Sequence, residues 1–164
     1  LRWLALLLTL GASAVASTLE IHYAPSENLE AVDVAAIANA ETAIDMAAYV
    51  LTDAAVIEAL GDAADRGVAV RLYLDRAQYE GHMQAVAALI GRDNVLAHIK
   101  PSGVLMHLKA YAVDGVRLRT GSGNFSRSGL SAQDNDALFT DDLKTVDRFE
   151  RDFERIFEEG APAP

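Results

Sequence analysis

Positions 107–124 gather the side chain types that handle phosphate esters. His107 and Lys109 stand two residues apart, Asp114-Gly115 follows, and Gly121, Ser122 and Asn124 close the stretch. Asp-Gly between the alternating runs 107–113 and 116–122 predicts a β-hairpin with a two-residue turn. Such a turn pairs Val113 with Val116, and the register running outward places His107 opposite Ser122 and Lys109 opposite Thr120. Opposed residues share a face about 5 Å apart at Cβ, and residues two apart on a strand also share one. Asn124 joins them if the chain stays extended. One face then presents an imidazole, an ammonium, a hydroxyl and a carboxamide, while Leu108, Ala110 and Ala112 suit a buried opposite face. An ammonium with neutral donors suits the non-bridging oxygens of a phosphodiester. The imidazole supplies a nucleophile or an acid–base near neutral pH. No carboxylate pair accompanies them to hold two metal ions, and neither a metal nor another cofactor is expected.

HLKAYAVD over 107–114, six further residues, and GSGN over 121–124 together resemble the HKD signature of the phospholipase D superfamily. His107, Lys109, Asp114, Gly121, Ser122 and Asn124 fall at the family's positions, and the following NFSRSGL and QDND are also similar. The resemblance implies a metal-independent phosphodiesterase in which one histidine attacks phosphorus and a second protonates the leaving oxygen. The chain carries one such motif, like the small single-motif bacterial endonucleases of the family. The implied enzyme is therefore a homodimer whose two His107 side chains share one active site. Lys109, Ser122 and Asn124 would bind phosphate, and Asp136 would orient His107, with Asp134 as its competitor. Asp114 and Gly121 are expected to be structural, because Asp-Gly already explains a turn and glycine permits close backbone approach. The substrate stays open between a phospholipid head group and nucleic acid. The alternative is a catalytically inactive module that only binds nucleic acid or phosphate.

The elements that must position this hairpin read as an α/β layer, a mixed sheet flanked by helices. Strands are expected at 18–25, 43–51, 68–75, 95–99 and 134–140, besides the hairpin. Helices are expected at 29–40, from an Asp53 cap to a Gly67 stop, at 81–90, and from Asp142 onward. The last carries Leu143, Val146, Phe149, Phe153 and Ile156 down one side. His98 and Lys100 repeat the His-x-Lys spacing, but no Asp or GSxN follows in register, so they are read as structural. His22 and His82 read as surface or packing residues, and Tyr49 and Tyr79 as core or rim packing, with the lining of a substrate groove as the alternative.

Residues 1–16 carry a basic Arg2, an apolar run over 4–10 and Ala14-Val15-Ala16, the pattern of a secretory signal. The expectation is a secreted or periplasmic protein with a catalytic domain over 17–160 and a frayed tail over 161–164. No stable membrane span is expected after cleavage. The chain has no cysteine, which excludes disulfides, thiolate metal sites and a cysteine nucleophile. Its net charge of −10 works against long-range attraction of polyanions. Between positions 98 and 130, however, Lys100, Lys109, Arg117, Arg119 and Arg127 oppose Asp114 alone, so the basic stretch coincides with the candidate motif.

Overall fold

The computed structural model describes residues 16–101 and 103–164, so the leader expected over 1–16 lies outside them but for its last residue. In chain order the elements are β1 (Leu19–Ala24), α1 (Leu29–Ala38), β2 (Ala43–Ala48), α2 (Ala54–Asp65), β3 (Ala69–Leu74) and α3 (Arg76–Ile90). Then come β4 (Val95–Ile99), β5 (Lys109–Val113), β6 (Arg117–Thr120), α4 (Arg127–Ser131), β7 (Asn135–Thr140), α5 (Leu143–Glu158) and β8 (Ala161–Pro162). One mixed sheet runs β1-β7-β6-β5-β2-β3-β4-β8. The strand β3 pairs in parallel with β2 and β4, the three joined by helical crossovers as parallel strands require.

Alternation along each strand sorts the side chains onto two faces. Ile44, Met46, Val70, Leu72, Tyr111 and Val113 enter the larger core with α1, α2 and α3. Ala47, Tyr73 and Ala112 point the other way and meet Phe153, Ile156 and Val146 of α5. Asp142 starts α5 by accepting the Thr145 amide at 3.0 Å, and Phe153 is wholly buried. Truncating such a phenylalanine costs about 3–5 kcal/mol. Leu19, Ile21 and Tyr23 lie opposite Thr140, Leu138 and Asp136 on the α5 side, beyond the strands that helix covers, and stay exposed.

Three expectations are corrected. Helix α3 begins at Arg76 rather than near 81, because Asp75 caps it through the Ala77 and Gln78 amides. A non-helical His82 (φ −132°) beside Gly81 breaks the pattern that would have shown its first turn. Residues 161–164 are not frayed throughout: Ala161 and Pro162 pair with Ile99 and His98, and the Ala163 amide donates to the Ala97 carbonyl at 2.8 Å. The hairpin register is also one residue away from expectation. Asp114 (φ 55°) and Gly115 (φ 64°) form the expected left-handed turn, closed by the Val116 amide on the Val113 carbonyl at 3.0 Å. The ladder then pairs Val113 with Arg117, Ala112 with Leu118 and Tyr111 with Arg119, leaving Val116 as an extra residue. A one-residue slip exchanges faces, so Arg119 takes the Lys109 side of the hairpin that was expected to hold Thr120.

Candidate active site

His107 and Lys109 enter at the start of β5. Two anchors fix the chain just before and between them. The Met106 amide donates to Asp75 Oδ2 at 3.0 Å, and the Tyr49 amide, just past β2, donates to the Leu108 carbonyl at 2.8 Å. His107 is exposed, and its ring packs on Tyr49 with centroids 4.5 Å apart and planes at 60°. Lys109 is only 7 % exposed. Its ammonium donates to the His107 carbonyl at 2.8 Å and lies 4.9 Å from the centre of the Tyr49 ring. Burial, and then the Arg119 charge, press its pKa below the ordinary lysine value. Among the described residues no carboxylate forms an ion pair with Lys109.

Gly121, Ser122, Gly123 and Asn124 follow β6. At Gly121 (φ 155°) a side chain would collide with the Asp136 carbonyl, so glycine lets the loop cross β7. Phe125 anchors the far end, its carbonyl accepting the Thr52 and Asp53 amides at 2.8 and 3.0 Å. Asn124 holds the Ser126 amide by its carbonyl at 2.8 Å. Its side-chain Oδ1 is buried with no hydrogen-bond partner. Half a turn about its last torsion presents the amide NH2 there instead, a donor for an incoming anion.

The structure gives Asp136 a different partner from the expected one. Its Oδ1 accepts from Ser122 Oγ at 2.5 Å and from the Ser122 amide at 3.1 Å, and its own amide donates back to Ser122 Oγ at 3.0 Å. The Ser122 hydroxyl bond holds the carboxyl below its usual range against the opposing effect of burial. Among the described residues neither Asp136 nor Asp134 hydrogen-bonds His107; Asp134 is exposed. Asp136 thus fixes Ser122 rather than the imidazole. An open cavity of about 730 Å³ adjoins this pair, walled by Tyr23, Ser26, Asp134, Asp136 and Ser122.

Asp114 sits at the far end of the hairpin. Its carboxylate accepts the backbone amides of Thr42 and Ala43 at 2.7 and 2.9 Å and that of Glu41 at 3.0 Å, which ties the turn to the entry of β2. Burial alone would raise its pKa, and these amide bonds hold it lowered. His98 is equally structural: its ring stacks on Phe157 at 4.0 Å, and its Nδ1 lies 2.7 Å from the Phe157 carbonyl.

The basic stretch does not converge on the motif. Arg119 has no exposed surface, and Arg117 reaches outward to Glu20 at 2.9 Å, so neither offers a free charge beside His107. Arg119 matters in another way, missed in the sequence. It binds Asp33 of α1 through Nε and Nη2 at 3.0 and 3.1 Å and donates Nη1 to the Lys109 carbonyl at 2.9 Å. Tyr111 completes the group, its hydroxyl donating to Asp33 Oδ1 at 2.9 Å. The available signal was Asp33 itself, spaced four from both Leu29 and Ile37 on the buried stripe of α1. Among the described residues no group of three His, Asp or Glu side chains is arranged to hold a metal ion.

The family described as cardiolipin synthase, PLD-like domain, matches residues 34–157. Mitochondrial cardiolipin hydrolase of Xenopus laevis is 27 % identical over 124 residues, 76 % of this chain and 59 % of that protein. The Danio rerio protein of that name is 26 % identical over 125 residues, 76 % of this chain and 55 % of its own length. The chain therefore spans somewhat more than half the length of these relatives. Among solved structures, Nuc from Salmonella typhimurium, a phospholipase D family member, superposes with a TM-score of 0.82 at 24 % identity, covering 90 % of this chain and 99 % of that one. NucT from Helicobacter pylori gives 0.84 at 19 % identity, covering 90 % of this chain and 100 % of that one. At these identities the two structures speak for the fold.

Proposed function

The chain belongs to the phospholipase D-like family, and from that premise we propose that it hydrolyses phosphodiesters through a phosphohistidine formed at His107, without a metal ion. The observation that carries this reading is Lys109: a buried ammonium with no carboxylate paired to it among the described residues, lying beside an imidazole and near a loop with an unpaired buried carboxamide oxygen. A buried charge without a counter-ion is costly, and a substrate phosphate supplies the missing anion. In the first step a His107 ring nitrogen attacks phosphorus while Lys109 and Asn124 hold non-bridging oxygens. The P–O bond to the leaving alcohol breaks, and that oxygen takes a proton from the second imidazole. In the second step the same imidazole, now neutral, takes a proton from water. The hydroxide displaces His107 from phosphorus, giving the phosphomonoester.

The second imidazole is His107 of another copy. The sheet face left open by α5, with exposed Leu19, Ile21 and Tyr23, runs to Ser122 and Asp136, which supports docking of a second copy beside the site. Exposed apolar patches of this kind mark association surfaces. A phospholipid is the leading substrate, supported by the names of the cardiolipin hydrolases and by the acidic net charge of −10. The leader pattern over 1–16 supports export, which N-terminal sequencing of the exported protein tests.

The deciding experiment incubates the protein, with and without EDTA, with cardiolipin, phosphatidylcholine, single-stranded DNA and duplex DNA. EDTA-resistant release of phosphatidic acid, abolished by His107→Asn, is the expected result. Cleavage confined to DNA moves the substrate to nucleic acid, and loss of turnover with EDTA refutes the metal-free route. Mixing wild-type and His107→Asn subunits tests the shared site. Activity follows the square of the wild-type fraction if each site needs both histidines, and a linear dependence overturns that arrangement.

A further inference from the structure

Tyr49 read as packing in the sequence, yet its ring touches both members of the motif. The imidazole of His107 lies on it at 4.5 Å between centroids, and the Lys109 ammonium stands 4.9 Å from the same centre. The ring is itself held at two points. Its backbone amide binds the Leu108 carbonyl at 2.8 Å, and its hydroxyl accepts from Gln78 Nε2 of α3 at 3.1 Å. The electron-rich face of an aromatic ring attracts the ammonium and packs against the imidazole, without competing as a carboxylate would for the substrate's place.

We propose that Tyr49 is a positioning residue for phosphodiester hydrolysis: its ring fixes the His107 imidazole plane, and it parks the Lys109 ammonium beside the site until phosphate arrives. This rests on the reading of His107 as nucleophile and acid. A fixed ring plane aims one imidazole nitrogen at phosphorus, so the ring serves the attack most directly. Other charged groups on the surrounding elements do not take over this task. Asp75 is committed to the amides of Ala77, Gln78 and Met106, and Asp136 to Ser122. Arg119 is bound to Asp33. His82 of α3 lines a small pocket together with Gln78 and Tyr49, and among the described residues the cation bonded to the His107 backbone is Lys109.

The test compares Tyr49→Phe and Tyr49→Leu, reading the His107 ring resonances by NMR and the separate values of kcat and KM. With the ring face removed, the Leu variant leaves the His107 ring averaging between rotamers, its resonances broadened, and kcat falls about tenfold through misplacement of the attacking nitrogen. The Phe variant keeps the ring, so its resonances stay as sharp as in the wild type and its rate falls less than about threefold. Sharp resonances and wild-type kcat in both variants overturn the proposal, as does an equal loss in both, which would assign the effect to the hydroxyl and Gln78. Should Tyr49→Leu fail to fold, Tyr49→Met takes its place. The NMR arm needs no turnover, so a failed phosphohistidine mechanism and a failed role for Tyr49 give different results.

Discussion

Arg119 and Asp33 form an ion pair with no solvent exposure on either side chain, and the same guanidinium holds the Lys109 carbonyl at 2.9 Å. A helix on one face of the sheet is thereby tied to the strand that begins at Lys109. Burial opposes the Asp33 charge and raises its pKa, while Arg119 and Tyr111 work the other way. Removing one partner strands the other charge in the core.

Arg119→Met alone is therefore expected to lower unfolding free energy by about 3–5 kcal/mol. The double substitution Asp33→Leu with Arg119→Met removes both charges and restores most of that loss, since apolar replacements of buried pairs are often near neutral. Denaturant titration measures both. In the refolded double variant the Lys109 carbonyl has lost its donor, and KM for the diester rises more than kcat falls. A double variant with wild-type kinetics removes the link between this pair and the site.

Asp114 makes a separable prediction, because it belongs to the motif but lies at the opposite end of the hairpin from His107. Its oxygens collect three backbone amides and the Thr42 hydroxyl. Asp114→Ala should cost about 1.5–3 kcal/mol, the range for hydrogen bonds to a charged group, with further strain from a left-handed φ of 55°. Its carboxyl pKa is lowered on folding from 3.8. The stability it provides is thus complete above the unfolded value and fades as pH falls through the folded one. The acid limb of a melting-temperature profile should be shallower in Asp114→Asn than in the parent. Activity at 25 °C in Asp114→Asn should stay within about tenfold of the parent, because the residue touches neither His107 nor Lys109; a complete loss without unfolding would give Asp114 a chemical role.

Most of the architecture was legible from alternation and caps. Asp53 and Asp142 begin the helices expected of them, and Asp114-Gly115 turns the chain as its sequence requires. The motif residues could be named from their spacing, but their mutual geometry could not. A single extra residue at Val116 changed which side chains share a face, and nothing local in the sequence distinguishes a plain turn from one followed by a bulge. The role of Asp136 was obscured for a similar reason: its partner is set by how Gly121 crosses β7, a tertiary contact. The buried pair of Arg119 and Asp33 joins residues 86 apart in the chain, and in the sequence Arg119 reads only as one cation of the basic stretch around the motif.

Glu150 of α5 gives a prediction on the alkaline side. Burial and the neighbouring Asp45 carboxylate push its pKa from 4.5 to about 8, with Arg71 opposing. Arg71 is already engaged by both oxygens of Asp45 at 2.7 and 2.6 Å, so Glu150 stays protonated in the folded chain at neutral pH. The unfolded chain loses that proton near 4.5, and stability therefore falls as pH rises from 4.5 to about 8, then levels. Glu150→Gln removes this dependence. Its melting temperature should match the parent near pH 4 and exceed it at pH 9, and a variant that melts lower than the parent at pH 9 would contradict the raised Glu150 pKa.

Gly121 is where backbone geometry meets the site most tightly. A Cβ there meets the carbonyl of Asp136 and then the Cα of Ala137, so Gly121→Ala can be accommodated only by moving the loop away from β7. That movement pulls Ser122 from Asp136, whose lowered pKa depends first on the Ser122 hydroxyl. The substitution should raise the Asp136 carboxyl toward its unperturbed 3.8, visible by NMR titration, and destabilise the fold by about 1–3 kcal/mol through backbone strain. It should also reduce kcat/KM more than Ser122→Ala does, because it displaces Asn124 along with Ser122, whereas removal of the hydroxyl leaves the Asn124 backbone in place. If the two variants lose activity equally, the glycine acts only through Ser122, and Asn124 is fixed from its Phe125 side alone.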